Sequence, residues 1–252
     1  MPKNIKESEA LDRANGNTFW RDAINKEMKE LGVAVDILES GEIAPKGHQQ
    51  TSIHLMFDVK MDFTRKVRWV LNGHTNKAPE ASACAGLVSR ESTRIAFIYA
   101  ALNSVDVWSC DMKNAYLQSP TSKNHYVVCE PKWSLENQGK IAITFRARNG
   151  GKYTGRDFRN YLRHCREHLG FEAFLADPDV WMRPAIRANG KDYFEHVMLH
   201  ADYSVVESEN TQNIIRRQIG KCFHIRPNSI SPLYAHLCGG TRKSLLDNVA
   251  EA

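Results

Sequence analysis

The stretch MLHADYSVV, from Met198 to Val206, places the carboxylate of Asp202 inside an apolar run that is typical of a buried strand. Burying an ionised carboxylate without a partner costs on the order of several kcal/mol, so such a group is rarely left unpaired in a core. The chain must therefore either place a cation opposite Asp202 or turn at this residue and expose it to solvent.

Length and composition define the broad class of protein. The 252 residues are enough for one large domain or two small ones, and 42% hydrophobic with 25% charged residues is ordinary for a globular protein. No apolar run is long enough to span a bilayer, and the polar N-terminus lacks the apolar block of a signal peptide. The six cysteines form no CxxC pair, which is typical of reduced thiols. We therefore expect an intracellular protein, cytoplasmic or nuclear, without a membrane partner.

Hydrophobic periodicity predicts helices and strands that alternate irregularly, after a polar N-terminal tail at residues 1–14. Helices are predicted at 18–31, 91–102, 156–169 and 211–223, and strands at 52–59, 67–71, 105–110, 126–130, 141–147, 180–183 and 193–200. The first two strands are separated by a charged turn and are predicted to form a hairpin. This order favours an α+β fold with an antiparallel sheet over a doubly wound parallel sheet.

Positive charge is concentrated in one segment. Residues 140–170 contain eight Lys or Arg residues and only two acidic residues. On the predicted helix at 156–169, polarity separates an apolar face from a face of four arginines, namely Arg156, Arg159, Arg163 and Arg166. A row of arginines is suited to the phosphates of a nucleic acid. The sequence therefore predicts a nucleic-acid-binding face on this helix.

Two aspartates stand at the ends of, or inside, apolar strands. Asp111 ends the predicted strand at 105–110, and Asp202 follows it by about ninety residues. Carboxylates on neighbouring strands are suitable ligands for Mg²⁺, and two such ions about 4 Å apart support nucleotidyl transfer. The alternative from spacing alone is that both aspartates are ordinary turn or strand-edge residues.

Several longer stretches together resemble one family. The chain is similar to the reverse transcriptase domain of copia-type long-terminal-repeat retrotransposons, in order, over about residues 15–247. The stretches that carry the resemblance are FWRDAINKEM, FDVKMDFTRKVRWVLNGH, GLVSRESTRIAF, DMKNAYL, RARNGGKYTG, HLGFEAFLADPDVWMRPA and IRPNSISPLYAHLCGG.

The resemblance implies a right-hand polymerase palm with fingers and a partial thumb, acting as an RNA-directed DNA polymerase. It implies Mg²⁺ held by Asp111 and Asp202, the catalytic residues, and as partners an RNA or DNA template, a primer and deoxynucleoside triphosphates. Four residues would contact the incoming nucleotide: Lys66 and Arg68 near its triphosphate, Tyr116 as the gate against a ribose 2′-hydroxyl, and Lys152 beside the nascent base pair. From the residues alone, Tyr116 is equally well a core aromatic, and Lys66 and Arg68 equally well belong to a solvated hairpin.

The chain departs from the family at positions that matter for catalysis. The catalytic hairpin of the family reads Tyr-Val-Asp-Asp, whereas this chain has a tyrosine, Tyr203, after Asp202. A phenol is a poor Mg²⁺ ligand at neutral pH, because its ordinary pKa is about 10. Arg148 and Asn149 replace apolar residues, and His236 and Cys238 are further departures. We expect a degenerate copy with low or absent polymerase activity, or alternatively an inert nucleic-acid-binding remnant.

One short motif suggests a different chemistry. The sequence His164-Cys-Arg-Glu-His168 matches the H-x-x-E-H pattern of a class of zinc proteases. His164 and His168 would bind Zn²⁺, and Glu167 would be the general base. No third ligand is evident in the sequence, and surface histidines explain the motif equally simply.

Overall fold

The computed structural model describes residues 1–73, 86–130, 137–200 and 203–233. The chain divides into two units, here called the first unit (Met1–Cys84 with Tyr116–Phe158) and the second unit (Ala85–Ala115 with Arg159–Ala252). Each unit has its own sheet and its own buried hydrophobic cluster.

Helices and mainly antiparallel strands make up the described residues. The helices are α1 (Ile5–Asn15), α2 (Phe19–Leu31), α3 (Arg90–Leu102), α4 (Ala115–Gln118), α5 (Thr154–His168), α6 (Thr211–Asn213) and α7 (Gly220–Cys222), with a π-helical stretch at Ile214–Ile219. The strands are β1 (Val35–Ile37), β2 (Gln49–Gln50), β3 (Ile53–Val59), β4 (Arg65–Leu71), β5 (Asp106–Asp111), β6 (Pro120–Val128), β7 (Ile141–Arg146), β8 (Glu172–Ala173), β9 (Val180–Ile186), β10 (Asp192–His200), β11 (Tyr203–Ser208) and β12 (Ser231–Pro232).

The N-terminal residues 1–14, predicted to be a polar tail, form most of helix α1. The side-chain oxygen of Asn4 accepts a hydrogen bond from the N–H of Glu7 at 2.9 Å and so caps the helix. Asp12 is buried, and its carboxylate accepts a hydrogen bond from the N–H of Trp20 in the first turn of α2 at 3.1 Å. The Asn-x-x-Glu spacing is a helix-start signal that the polar composition of the segment obscured.

The first unit contains a hairpin and a separate four-stranded sheet. The predicted hairpin is confirmed, because β3 pairs antiparallel with β4 from Ile53 opposite Leu71 to Val59 opposite Arg65. The four-stranded sheet has the order β1-β7-β6-β2, with one parallel pair, β2 with β6. The buried cluster of this unit joins α2, the hairpin and this sheet through Leu31, Val35, Ile53, Trp69, Leu71, Val127, Cys129 and Ala142.

The second unit is built on a six-stranded sheet with the order β12-β5-β11-β10-β9-β8, in which every neighbouring pair is antiparallel. Helix α3 packs on this sheet and is capped by Ser89, whose hydroxyl accepts a hydrogen bond from the N–H of Ser92. Residues Ala96, Val180, Met198 and Val205 belong to the buried cluster between helix and sheet. The sheet therefore fixes β5 between β12 and β11.

The predicted fold class is confirmed at the level of helices combined with antiparallel sheets. The run from Met198 to Val206 is two strands, because β10 ends at His200, β11 begins at Tyr203, and these two residues pair with each other. The chain therefore reverses direction between His200 and Tyr203, whereas Asp202 itself lies outside the described residues. Among the described residues, no helix combines the length and the apolar character needed to cross a bilayer. The predicted thumb lies largely beyond residue 233, outside the described ranges.

Candidate functional site

Asp111 ends β5 with its carboxylate largely buried and paired with a cation. The residue is 7% exposed, and its Oδ2 lies 3.1 Å from Nε of Arg226. Two further hydrogen bonds join Asp111 to the segment that contains Arg226. The Asp111 N–H donates to Oγ of Ser229 at 2.8 Å, and the Arg226 N–H donates to the Asp111 carbonyl at 2.9 Å. Because a buried carboxylate requires a partner, Arg226 explains how Asp111 is tolerated at the end of an inner strand.

Tyr203 stands directly opposite Asp111 on the neighbouring strand. The two residues are register partners in the antiparallel pairing of β5 with β11. Directly paired residues project from the same face of a sheet, with Cβ atoms about 4.5–5.5 Å apart. Tyr203 is 37% exposed. Asp202, the residue before it, lies outside the described residues, so its predicted proximity to Asp111 stays a prediction.

The four residues predicted to contact a nucleotide belong to the first unit, whereas Asp111 belongs to the second. Arg68 lies on β4 with its Nη1 3.8 Å from Oδ2 of Asp58, and both side chains are exposed. Lys66 is the register partner of Asp58 on the same hairpin. The ring of Tyr116 is 38% exposed and meets the ring of Phe158 edge-on at 5.7 Å. Tyr116 is therefore held by a core aromatic while part of it remains accessible.

Lys152, the fourth of these residues, lines a pocket of the first unit, here called the basic pocket. Its basic side chains are Lys123, Arg146, Arg148 and Lys152, and none of the described residues that line it is Asp or Glu. Lys66, Arg68 and Tyr116 are not among the lining residues. The high density of Arg and Lys in residues 140–170 indicated three of these four cations, and Lys123 comes from a separate strand, β6.

The predicted arginine face of α5 is only partly formed. Arg159 makes two hydrogen bonds to the carboxylate of Asp179, at 3.0 and 2.9 Å. Arg163 is exposed and bonds to Glu167, four residues later, at 2.9 Å. Arg156 donates to Oγ of Ser122 at 3.0 Å. Three of the four arginines are therefore at least partly accessible, but each already has a partner within the chain.

Arg166 is the exception, and its predicted place on the phosphate-binding face is wrong. It is 3% exposed, and its guanidinium carbon lies 5.6 Å from the centre of the Trp181 ring. Burial lowers the pKa of Arg166 to about 10, while Asp179 offsets part of this effect. Arg166 follows Leu162 by four residues, so helical spacing places it beside the apolar face of α5. The apolar face was predicted correctly, but the polarity of Arg166 hid its position next to that face.

The protease-like motif does not gain support from the structure. His164 and Glu167 are both exposed, and Nδ1 of His164 lies 3.3 Å from Oε2 of Glu167. Within the described ranges, no group of three or more His, Cys, Asp or Glu side chains is placed to hold a metal ion. The two histidines and the glutamate of the motif thus lie on the solvent-exposed surface of α5.

Sequence reasoning missed two buried acids of the second unit. Glu195 is bound by Arg183, with Nη2 at 2.7 Å from Oε2, and also accepts hydrogen bonds from the hydroxyls of Tyr193 and Ser208. Glu207 is fully buried, and its Oε2 lies 3.2 Å from Nδ1 of His196, its register partner on β10. Both acids alternate with apolar residues on inner strands, where the pattern of the sequence does not reveal their partners.

The buried thiols are unsuited to nucleophilic chemistry. Burial raises the pKa of Cys110 to about 12, and burial together with the neighbouring Cys222 raises the pKa of Cys165. Since the thiolate is the reactive form, both thiols are inert at neutral pH.

The chain matches no protein-family model, and no curated protein is significantly similar to it. Any function must therefore be argued from the site itself and from the sequence motifs.

Proposed function

We propose that the chain is a reverse transcriptase domain of the copia type, an RNA-directed DNA polymerase whose activity is low or absent. The observation that carries the proposal is the position of Asp111. It ends an inner strand of an antiparallel sheet, directly opposite the residue that follows Asp202, at the point where the β10–β11 hairpin reverses. The sequence resemblance assigns catalytic roles to these two aspartates, and the observed register is compatible with that assignment.

The donor set around Asp111 fits Mg²⁺ poorly. One oxygen of Asp111 is engaged by Arg226, and the residue opposite is Tyr203 rather than a second aspartate. Mg²⁺ prefers anionic and carbonyl oxygens and is repelled by a guanidinium. We therefore expect weak Mg²⁺ binding by Asp111 and Asp202, and this weakness is the reason for the low activity.

The substrate-binding residues form a second part of the proposal. Lys66 and Arg68 would contact the triphosphate of the incoming nucleotide, and Lys152 would lie beside the nascent base pair. Tyr116 would exclude a ribose 2′-hydroxyl, and its support by Phe158 favours this role because the gate must be rigid. The template and primer would be an RNA or DNA strand and its paired DNA strand.

An inert nucleic-acid-binding remnant is the second candidate. The ion pair of Asp111 with Arg226 favours it, because the carboxylate is neutralised without a metal ion. Arg156 and Arg163 are at least partly exposed and would contact phosphates, each by exchanging a hydrogen bond within the chain for one to the nucleic acid. Binding of this kind depends steeply on salt, because it releases counterions.

A primer-extension assay in Mg²⁺ separates the two candidates. Wild type would be compared with Tyr203→Asp, which restores the missing carboxylate. The control is Tyr203→Asn, in which the new side chain has nearly the same size as aspartate but no charge. We expect extension only by Tyr203→Asp, and its loss when Asp111→Asn is added.

The other outcomes are equally informative. If no variant extends a primer while all bind duplex with a steep salt dependence, the remnant is favoured. If wild type extends as well as Tyr203→Asp, the proposed degeneracy of the metal site is wrong. If no variant extends or binds nucleic acid, both candidates fail.

A further inference from the structure

Arg226 holds the position of a cation beside Asp111. Its Nε lies 3.1 Å from Oδ2 of Asp111, and the side chain of Asp111 is 10% exposed whereas that of Arg226 is 46% exposed. A carboxylate at the end of an inner strand needs a positive partner, and the chain supplies that partner itself. We propose that Arg226 takes the place of a divalent metal ion at Asp111 and excludes such an ion while its guanidinium stays there.

The segment that carries Arg226 is fastened to the end of β5 on both sides of the arginine. Before it, the Lys113 N–H donates to the His224 carbonyl at 2.9 Å, and at the arginine itself the N–H donates to the Asp111 carbonyl at 2.9 Å. After it, Oγ of Ser229 donates to the Arg226 carbonyl at 2.7 Å, and strand β12 pairs with β5. The backbone of the fold therefore delivers the guanidinium to Asp111, which distinguishes this ion pair from a contact between two mobile surface side chains.

A divalent ion and the guanidinium compete for the same carboxylate oxygen. Mg²⁺ binds oxygen ligands at about 2.1 Å, so an ion on Oδ2 of Asp111 would lie within about 5 Å of Nε of Arg226. Two cations at this separation repel each other, and water screens the repulsion only in part where the site is buried. The other carboxylate oxygen, Oδ1, is buried and gives a metal ion no second way in. The arginine must therefore leave before a metal ion binds.

Tyr203 and Arg226 weaken metal binding in different ways. Tyr203, the register partner of Asp111, lacks the negative charge of the expected second aspartate but adds no positive charge. Arg226 adds a positive charge within hydrogen-bonding distance of the one carboxylate that is present. Removal of the guanidinium should therefore create a cation site even while Tyr203 remains. The inference rests on the proposed function in one respect, namely that Asp111 is the carboxylate to which a metal ion would bind.

Binding of Mn²⁺ to the full chain, without nucleotide or nucleic acid, tests the proposal. Mn²⁺ shares the preference of Mg²⁺ for oxygen ligands, and electron paramagnetic resonance measures its free concentration. The variants are Arg226→Gln, which removes the charge, and Arg226→Lys, which keeps it. The matched control is Arg217→Gln, which removes an exposed arginine of the same unit. We expect Arg226→Gln to bind Mn²⁺ at least about tenfold more tightly than wild type and the other two variants. Adding Asp111→Asn should abolish this gain.

Thermal unfolding separates this role from a purely structural one. Arg226→Gln leaves a largely buried carboxylate without its cation, so we expect its Tm without metal to be lower than that of wild type. Saturating Mn²⁺ should raise the Tm of Arg226→Gln by about 3 °C or more and leave wild type and Arg217→Gln unchanged. An ion pair with only a structural role would lower the Tm without creating this response to Mn²⁺.

Two results would overturn the proposal: equal Mn²⁺ affinity of Arg226→Gln and wild type, or tight binding by Arg226→Lys, which keeps the charge. If Arg226→Gln does not fold, wild type and Asp111→Asn decide. Saturable Mn²⁺ binding by wild type that Asp111→Asn lacks overturns the proposal, and equally weak binding by both supports it. Primer extension is a separate readout, because it requires nucleic acid and a nucleotide. A gain in Mn²⁺ binding without extension by any variant would support the inference while the polymerase proposal fails.

Discussion

Arg148 in the first unit and Arg166 in the second are both buried arginines, but their surroundings differ. Both are almost inaccessible to solvent, and burial lowers the pKa of each to about 10. Arg166 lies over the ring of Trp181, and Asp179 acts on it as a nearby acid. Arg148 instead lines a pocket whose other charged residues are cations. Each guanidinium has two buried nitrogens without a hydrogen-bond partner among the described residues and one nearby acid, Glu27 for Arg148, so the two sites differ mainly in the aromatic ring that Arg166 contacts.

The difference teaches that burial alone does not define the role of a charged residue. Other buried charges of the second unit have partners: Glu195 has Arg183, and Asp111 has Arg226. In each case the partner lowers the cost of removing a charge from water. Arg148 and Arg166 both depart from this rule, because neither has an ion pair at hydrogen-bonding distance among the described residues and each has two unpaired nitrogens. The following changes test the contrast.

The largest effect is expected for Arg166→Ala. The substitution removes the side chain that packs on Trp181 and leaves a cavity in the core of the second unit. We expect the free energy of unfolding to fall by about 3 kcal/mol, as measured by urea denaturation. A loss below about 1 kcal/mol would show that Arg166 is no better accommodated than Arg148.

A smaller effect of opposite sign is expected for Arg148→Leu. The substitution removes a buried cation in which two nitrogens, Nε and Nη1, have no hydrogen-bond partner within the described ranges. We expect the free energy of unfolding to rise by about 1–2 kcal/mol. If Arg148→Leu is instead less stable, the guanidinium is satisfied by the fold and the contrast between the two arginines disappears.

The sequence predicted the elements of the fold well where the apolar period was clear. Phe158, Leu162 and Cys165 are buried as the helical pattern predicted, and the hairpin of β3 and β4 has the expected strands. Arg166 was assigned to the wrong face because polarity was given more weight than its spacing from Leu162. Helix α1 was missed for a similar reason: its polar composition obscured a capping signal at Asn4.

The candidate site was predictable only in part. The position of Asp111 at a strand end followed from the pattern, since an apolar run ends there. Its partner Arg226 did not, because the pairing depends on how distant segments come together in the sheet. Arg148 and Asn149 are recognisable in the sequence only as departures from apolar residues of the resembling family. The pocket that surrounds Arg148 is visible only once β6, β7 and the following loop are brought together.

A pH effect tests the second unit's buried acid, Glu207. Burial raises the pKa of Glu207 above the ordinary value of 4.5, and its bond to His196 offsets only part of that change. The folded state therefore binds a proton more tightly than the unfolded state does, so unfolding free energy falls as pH rises from 4.5 through the folded pKa. Glu207→Gln removes this titration. Urea denaturation at successive pH values measures the free energy of unfolding of both proteins. We expect wild type to lose stability relative to Glu207→Gln over this pH range. If the free energies of the two proteins change in parallel with pH, the assignment of this effect to Glu207 is wrong.

The smallest effect is expected for Arg163→Ala, which provides the exposed counterpart of Arg166 on the same helix. Arg163 bonds to Glu167 at 2.9 Å, but both side chains are in contact with water. An exposed ion pair gains little because each charge is already well solvated. We expect the urea midpoint of Arg163→Ala to equal that of wild type within error. A clear loss would mean that the surface of α5 contributes to folding, and the large effect expected at Arg166 could then no longer be assigned to burial alone.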